Sequence, residues 1–267
     1  MTAMPITPAP EPLNSRDMLR YLTPVPFRRL VRVQLRIWRA QRGVVASTIA
    51  VTAISLAATA AGMATHHGSF TARALGQEFA SSGGGAAMLW LVVGAIAGAA
   101  PFRSGWAGVM LAIAPRRLRW FTACLFSVLV WTAVAATAFG GLACAAAAAV
   151  LAAHHRPLAA CAGVAVAIGP VVAGALLTAA VGFTLGAAAR GVTLAIVLGL
   201  VVAPLAPLLN SAPGHPGQWL DLGAAASAVS GAPGSPHWGL PVMTACCLWV
   251  AVPALVATWR LTRSPVA

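Results

Sequence analysis

Six apolar stretches, at about 44–63, 86–102, 120–142, 161–186, 192–209 and 242–259, interrupt this 267-residue chain. With a membrane crossing at each stretch, fifteen of the seventeen arginines fall on one side and only Arg73 and Arg156 on the other. Basic residues are retained on the cytoplasmic face of membranes. The split therefore predicts an all-α membrane protein of six transmembrane helices with both termini cytoplasmic. Each stretch approaches the roughly 20 apolar residues that cover the hydrocarbon core. The third and fourth are longer and are expected to tilt or to protrude.

Composition agrees with a bilayer as solvent. Apolar residues make up 60% of the chain and charged residues 8%, too few for the polar coat of a soluble domain this size. The formal charge of +13 is assigned to arginines beside anionic lipid headgroups and not to nucleic-acid binding. The spans occupy most of these residues and leave no room among them for a soluble catalytic domain. There is no lysine, which excludes a P-loop, whose lysine must reach the nucleotide phosphates. Cys124, Cys144, Cys161, Cys246 and Cys247 all lie in apolar segments, so they are read as small packing residues and not as disulfide or zinc pairs.

Residues 1–26 carry six prolines and read as a flexible cytoplasmic tail. They lack a secretory-signal pattern, because the first long apolar run starts only near Val44. From Phe27 to Gly43 the pattern turns amphipathic. Arg28, Arg29, Arg32, Arg36 and Arg39 recur at helical spacing, with Phe27, Leu30, Val31, Leu35 and Trp38 on the other side. Such a helix is expected to lie flat at the inner membrane surface. A nucleic-acid-binding helix is the competing reading, and the apolar face and the adjoining span oppose it. A short tail, 261–267, follows the six-span domain 44–260.

Side-chain chemistry along the spans is sparse. No span carries a clear Asp, Glu, Lys or Arg, which disfavours ion pumping, proton-coupled transport and intramembrane hydrolysis. Span one presents Thr48, Thr52, Ser55, Thr59 and Gly62 on one face, and span four presents Gly174, Thr178, Gly182 and Gly186 at spacing four. Small residues so spaced let helices approach closely. The span-one face is therefore either a packing face or the border of a translocation path. All six histidines fall on the predicted outer side, at positions 66, 67, 154, 155, 215 and 237. His66, His67, His154 and His155 are the metal candidates, since paired imidazoles suit copper or zinc. No cysteine or carboxylate completes a ligand spacing, so polar loop residues are the plainer reading and no metal is assigned. The Gly- and Pro-rich segment 211–240 keeps Trp219, Leu220, Leu222, Val229, Trp238 and Leu240. It reads as a re-entrant or interfacial hairpin at the outer face, or else as an irregular loop.

The basic helix before span one, the loop after span two, the Gly-rich span four ending in Arg190 and the interfacial segment before span six recur together in one family. In these respects the chain resembles the permease subunit of type-2 ATP-binding-cassette (ABC) exporters. In the loop the matching positions are Phe102, Arg103, Gly105, Leu111, Pro115, Arg116 and Arg117. Pro101 stands where the family has a glutamate, and Trp106 where a threonine follows the glycine. The resemblance implies a non-enzymatic subunit of a bacterial cytoplasmic membrane, paired with a second permease, identical or homologous, and with two ABC ATPase subunits. ATP and magnesium would be bound by those partners and no cofactor by this chain. Loop 103–119 would be the coupling helix that docks in the ATPase, with Trp106 among its anchors, and the cargo an amphipathic drug, peptide or lipid. A second lipid-facing surface helix is the other reading of the loop. A metal-linked or signalling membrane protein that uses the external histidines is the other reading of the whole.

Overall fold

The computed structural model describes residues 26–64, 71–113, 116–202, 205, 208, 217–232 and 239–263. The described residues form helices and no strand. In chain order these are α1 (Phe27–Ala40), α2 (Arg42–Ala64), α3 (Ala72–Arg103), α4 (Trp106–Ile113) and α5 (Arg117–Ala153). A 3₁₀ turn (Leu158–Cys161) leads into α6 (Ala162–Ala189), followed by α7 (Val192–Ile196), which continues as a π-helical stretch over Val197–Val202. Then come α8 (Gly217–Leu220), α9 (Leu222–Val229) and α10 (Leu240–Arg263). Among the described residues five helical segments are long and apolar enough to cross a membrane: α2, α3, α5, α6 with its leading 3₁₀ turn, and α10.

The helices depart from the expected spans mainly at their ends. α3 starts at Ala72 and not near 86, because Thr71 caps it, its hydroxyl accepting the Ala74 N–H at 3.2 Å. The added turns carry Gln77, Glu78, Ser81 and Ser82, too polar to read as membrane, yet Leu75, Phe79 and Ala80 within them are buried. α5 runs on to Ala153, about 55 Å at 1.5 Å per residue, so the expected protrusion is its last three turns. The expected fifth span is, where described, the apolar helix Val192–Val201 of 10 residues. Most of 203–216 lies outside the described residues, as do the tails 1–25 and 264–267.

α3 is the central helix, and α6 is its principal partner. In the most apolar stretch of α3, 62% of residues are buried, against 22% in α10, so α10 turns most of its surface away from the bundle. Water gives no hydrophobic gain for apposing helices inside lipid, so close packing has to come from small residues. Both helices supply them. A Cβ on Gly94 or Gly98 would run into the carbonyls of Ala179 or Phe183 on α6. A Cβ on Gly182 or Gly186 would meet those of Leu91 or Ala95 on α3. Midway, the Thr178 hydroxyl donates to the Ala87 carbonyl at 2.5 Å.

α1 rests along one side on the bundle. Its buried stripe of Leu30, Gln34 and Trp38 packs against α5, where Phe27 meets Phe126 at 6.0 Å and the Ser127 hydroxyl reaches the Val31 carbonyl at 3.5 Å. Its five arginines all point outward. The extended backbone of Gln41 then breaks α1 from α2.

Candidate functional site

Polar and basic residues concentrate where the ends of α3, α5, α6 and α10 meet. α3 stops at Arg103, and Ser104–Gly105 turn the chain, with Gly105 at φ +68°, a left-handed conformation that a side chain would strain. α4 follows as two turns of helix. Ala107 and Met110 of α4 are buried, Trp106 is half-buried against the same core cluster as Trp38, Trp120 and Phe183, and Val109 is 49% exposed. Arg103, Ser104 and Gly105 are exposed beside it. One face of α4 therefore belongs to the bundle, and the other exposes the apolar Val109.

The arginines of this end do more than mark a membrane boundary. Arg117, in the first turn of α5, donates to the carbonyl of Leu261 and, at 3.4 Å, to that of Thr262 in the last turn of α10. Arg260 donates to the Ala188 carbonyl of α6 at 2.6 Å. Arg190 caps α6 in the left-handed conformation, φ 53°, reaches the Arg260 carbonyl at 3.5 Å, and holds its guanidinium 5.5 Å from the Phe102 ring centroid. Phe102 in turn meets Trp120 edge-on at 6.3 Å. The last carbonyls of a helix have no partners within it and carry partial negative charge, so cations there both satisfy them and complement the dipole. Sequence reading gave Arg190 and Arg260 a place on the arginine-rich side and Arg117 a place in the coupling loop. Their clasp of three helix ends was missed, because no local spacing connects Arg117 to Leu261.

Of the residues expected to couple, Phe102, Arg103, Gly105, Trp106, Arg116 and Arg117 come together at this end. Phe102 and Trp106 are half-buried and pack against the protein's own core. The backbone of Leu111 lies in α4, while its side chain and all of Pro115 are outside the described residues. Arg116 is exposed, and Arg117 is committed to α10.

The polar face of α2 is mostly buried in the bundle, where Thr48 and Thr59 find partners and the Ser55 hydroxyl finds none among the described residues. Thr48 accepts from the Trp131 indole at 2.9 Å, Thr59 pairs with Ser82 at 3.2 Å, and Thr48, Ser55 and Thr59 are buried while Thr52 is half-buried. Within this chain it is a packing face against α5 and α3. At the opposite end His154 and His155 are exposed after α5, whereas His66 and His67 lie outside the described residues. The described residues hold no group of three or more His, Cys, Asp or Glu placed to bind a metal. Within 211–240, the described part folds onto the bundle. Asp221 caps α9 by accepting the Ala224 N–H at 2.8 Å, the Trp249 indole donates to the Leu220 carbonyl at 2.7 Å, and Leu222, Ala225 and Ala226 are buried.

No protein-family profile matches the chain, and no curated protein matches its sequence.

Proposed function

We propose that this chain is the permease subunit of a type-2 ABC exporter. It crosses the cytoplasmic membrane of a bacterium six times with both termini inside. It pairs with a second permease and exports an amphipathic substrate on ATP hydrolysed by two partner ATPases. The observation that carries this reading is α4. A short helix, hinged at Gly105, lies between the ends of the two longest helices at the arginine-rich end, one face in the core and Val109 outward. A partner that pushes on α4 displaces α3 and α5 together, which is what coupling to a two-state permease requires. Val109 exposed on α4 and Arg103 exposed at the end of α3 suit a groove with an apolar floor and an acidic rim.

The six-span count has geometric support. α6 and α10 both end at the arginine-rich end, where Arg260 joins Ala188, so the two helices run parallel. The chain between them must return across the bundle. The 192–209 stretch is the apolar segment available for that crossing, and Gly199 on it lies against the side chain of Leu91 of α3, twelve residues before that helix ends.

The test is co-expression with the cognate ATPase, measuring co-purification and export together. Val109→Asp is expected to reduce ATPase retention about tenfold or more, as loss of an apolar interface anchor does, while the permease still inserts. Full retention and an unchanged export rate would remove α4 as the coupling element and, with it, this function.

A further inference from the structure

We propose that the pocket between the first turn of α5 and the last turn of α10 binds the headgroup of an anionic phospholipid. The pocket is an open surface groove of about 540 Å³ lined by Arg116, Arg117, Leu118, Arg119 and Thr262. Three guanidinium groups within four residues crowd the start of a 37-residue helix that has no acidic residue in its first turn. The helix dipole adds further positive potential at that end, where acids and not arginines are favoured. Such an arrangement costs free energy until an anion arrives.

The described part of the chain supplies none. Its two carboxylates are placed elsewhere: Asp221 caps α9, and Glu78 lies against Gly62 of α2. Arg117 is turned inward onto the carbonyls of Leu261 and Thr262, so it closes the floor of the pocket, leaving exposed Arg116 and half-buried Arg119 at the mouth.

Two further observations favour a lipid over a soluble acidic partner. The pocket stands at headgroup depth: one turn away on α10, exposed Trp259 is stacked by Arg263 at 5.4 Å, a pairing suited to the membrane interface. The lining also contains an apolar residue turned outward, Leu118 at 55% exposure, with Phe126 exposed two turns further along the same helix. A phosphodiester for the arginines and an acyl chain for Leu118 are both offered by one phospholipid, and basic pockets between membrane helices hold such headgroups. This inference needs only that the chain be embedded in a bilayer and stands whether or not α4 couples to an ATPase.

The experiment uses the full chain, delipidated and returned to nanodiscs of phosphatidylcholine with or without phosphatidylglycerol, without any ATPase. Native mass spectrometry reads the lipid retained per chain, and thermal unfolding reads its effect on stability. One phosphatidylglycerol retained per chain is expected, with a raised Tm. Arg116→Gln/Arg119→Gln should lower that retention about tenfold or more while leaving Tm in pure phosphatidylcholine unchanged, since Arg117 is untouched. The control Arg32→Gln/Arg36→Gln removes the same charge from exposed α1 and should leave retention intact. The proposal is overturned if the control loses lipid equally, for then surface charge alone is acting. It is equally overturned if phosphatidylcholine is retained as well, or if inorganic phosphate reproduces the stabilisation. Undiminished lipid retention in the Arg116/Arg119 variant, with loss of ATPase binding instead, would assign these arginines to protein docking.

Discussion

Single glycines set the closest approach in the molecule. At Gly94 a methyl group has no space, because the Ala179 carbonyl of α6 already fills it, whereas Gly141 of α5 is exposed with nothing within 4 Å of an added Cβ. Gly94→Leu should therefore separate α3 from α6 and cost roughly 1–3 kcal/mol or more, the range for forced overpacking. Gly141→Leu should be silent. Comparing the monodisperse fraction and Tm of the two variants in detergent checks this, and equal behaviour would mean that the α3–α6 contact is looser than described. A hydroxyl carries a similar burden at Thr48. It accepts the Trp131 indole N–H and donates to the Val44 carbonyl at 2.8 Å. Thr48→Val keeps the shape and leaves that indole without its acceptor, so a loss of about 1–3 kcal/mol is expected in thermal unfolding. A Thr48→Ser variant that keeps the acceptor should recover most of it.

At the scale of elements, α4 has two faces that mutation can separate. Trp106→Ala opens space under a half-buried indole and is expected to lower Tm as well as coupling, whereas Val109→Asp changes only the outward face and should spare Tm. If Trp106→Ala leaves Tm unchanged while export falls, the indole belongs to a partner and not to the core. The resemblance to ABC permeases implied a helix in 103–119. It could not tell which side of that helix was covered, because eight residues alternate too few times to define a face. The same limit explains α3. Gly174, Thr178, Gly182 and Gly186 of α6 were legible as a packing stripe, but their counterparts Gly94 and Gly98 were not paired with them, and the outer half of α3 was missed. A window of hydropathy averages Gln77 and Glu78 with Leu75 and Phe79, although only the latter two face inward. The amphipathic α1 was legible because arginine and apolar residues alternate over four turns. Its docking on α5 was not, since lipid and protein offer the same greasy surface to Leu30 and Trp38.

For the whole molecule, the arginine asymmetry and the helix ends make one argument. Arg117, Arg190 and Arg260 tie α5, α6 and α10 together at one end, while exposed Arg156 lies at the other, so the arginine-poor side is also a structural side. On the proposed reading, retention of positive charge on the cytoplasmic face puts this end inside. The orientation can be read with single cysteines introduced after Cys124, Cys144, Cys161, Cys246 and Cys247 are replaced by alanine. Ser104→Cys and Arg263→Cys should resist an impermeant maleimide added to intact cells and react after permeabilisation. Arg156→Cys and Ala232→Cys should react at once. Each pair isolates one step of the path. Labelling of Ser104→Cys from outside would invert the molecule and place α4 beyond the reach of any cytoplasmic ATPase. Protection of Ala232→Cys together with Arg263→Cys would mean that the chain does not return across the bilayer between α6 and α10. α10 would then have to start at the arginine-rich end, contrary to the Arg260–Ala188 bond between its last turn and that of α6. Labelling at Ala232 is thus the measurement on which the sixth crossing depends.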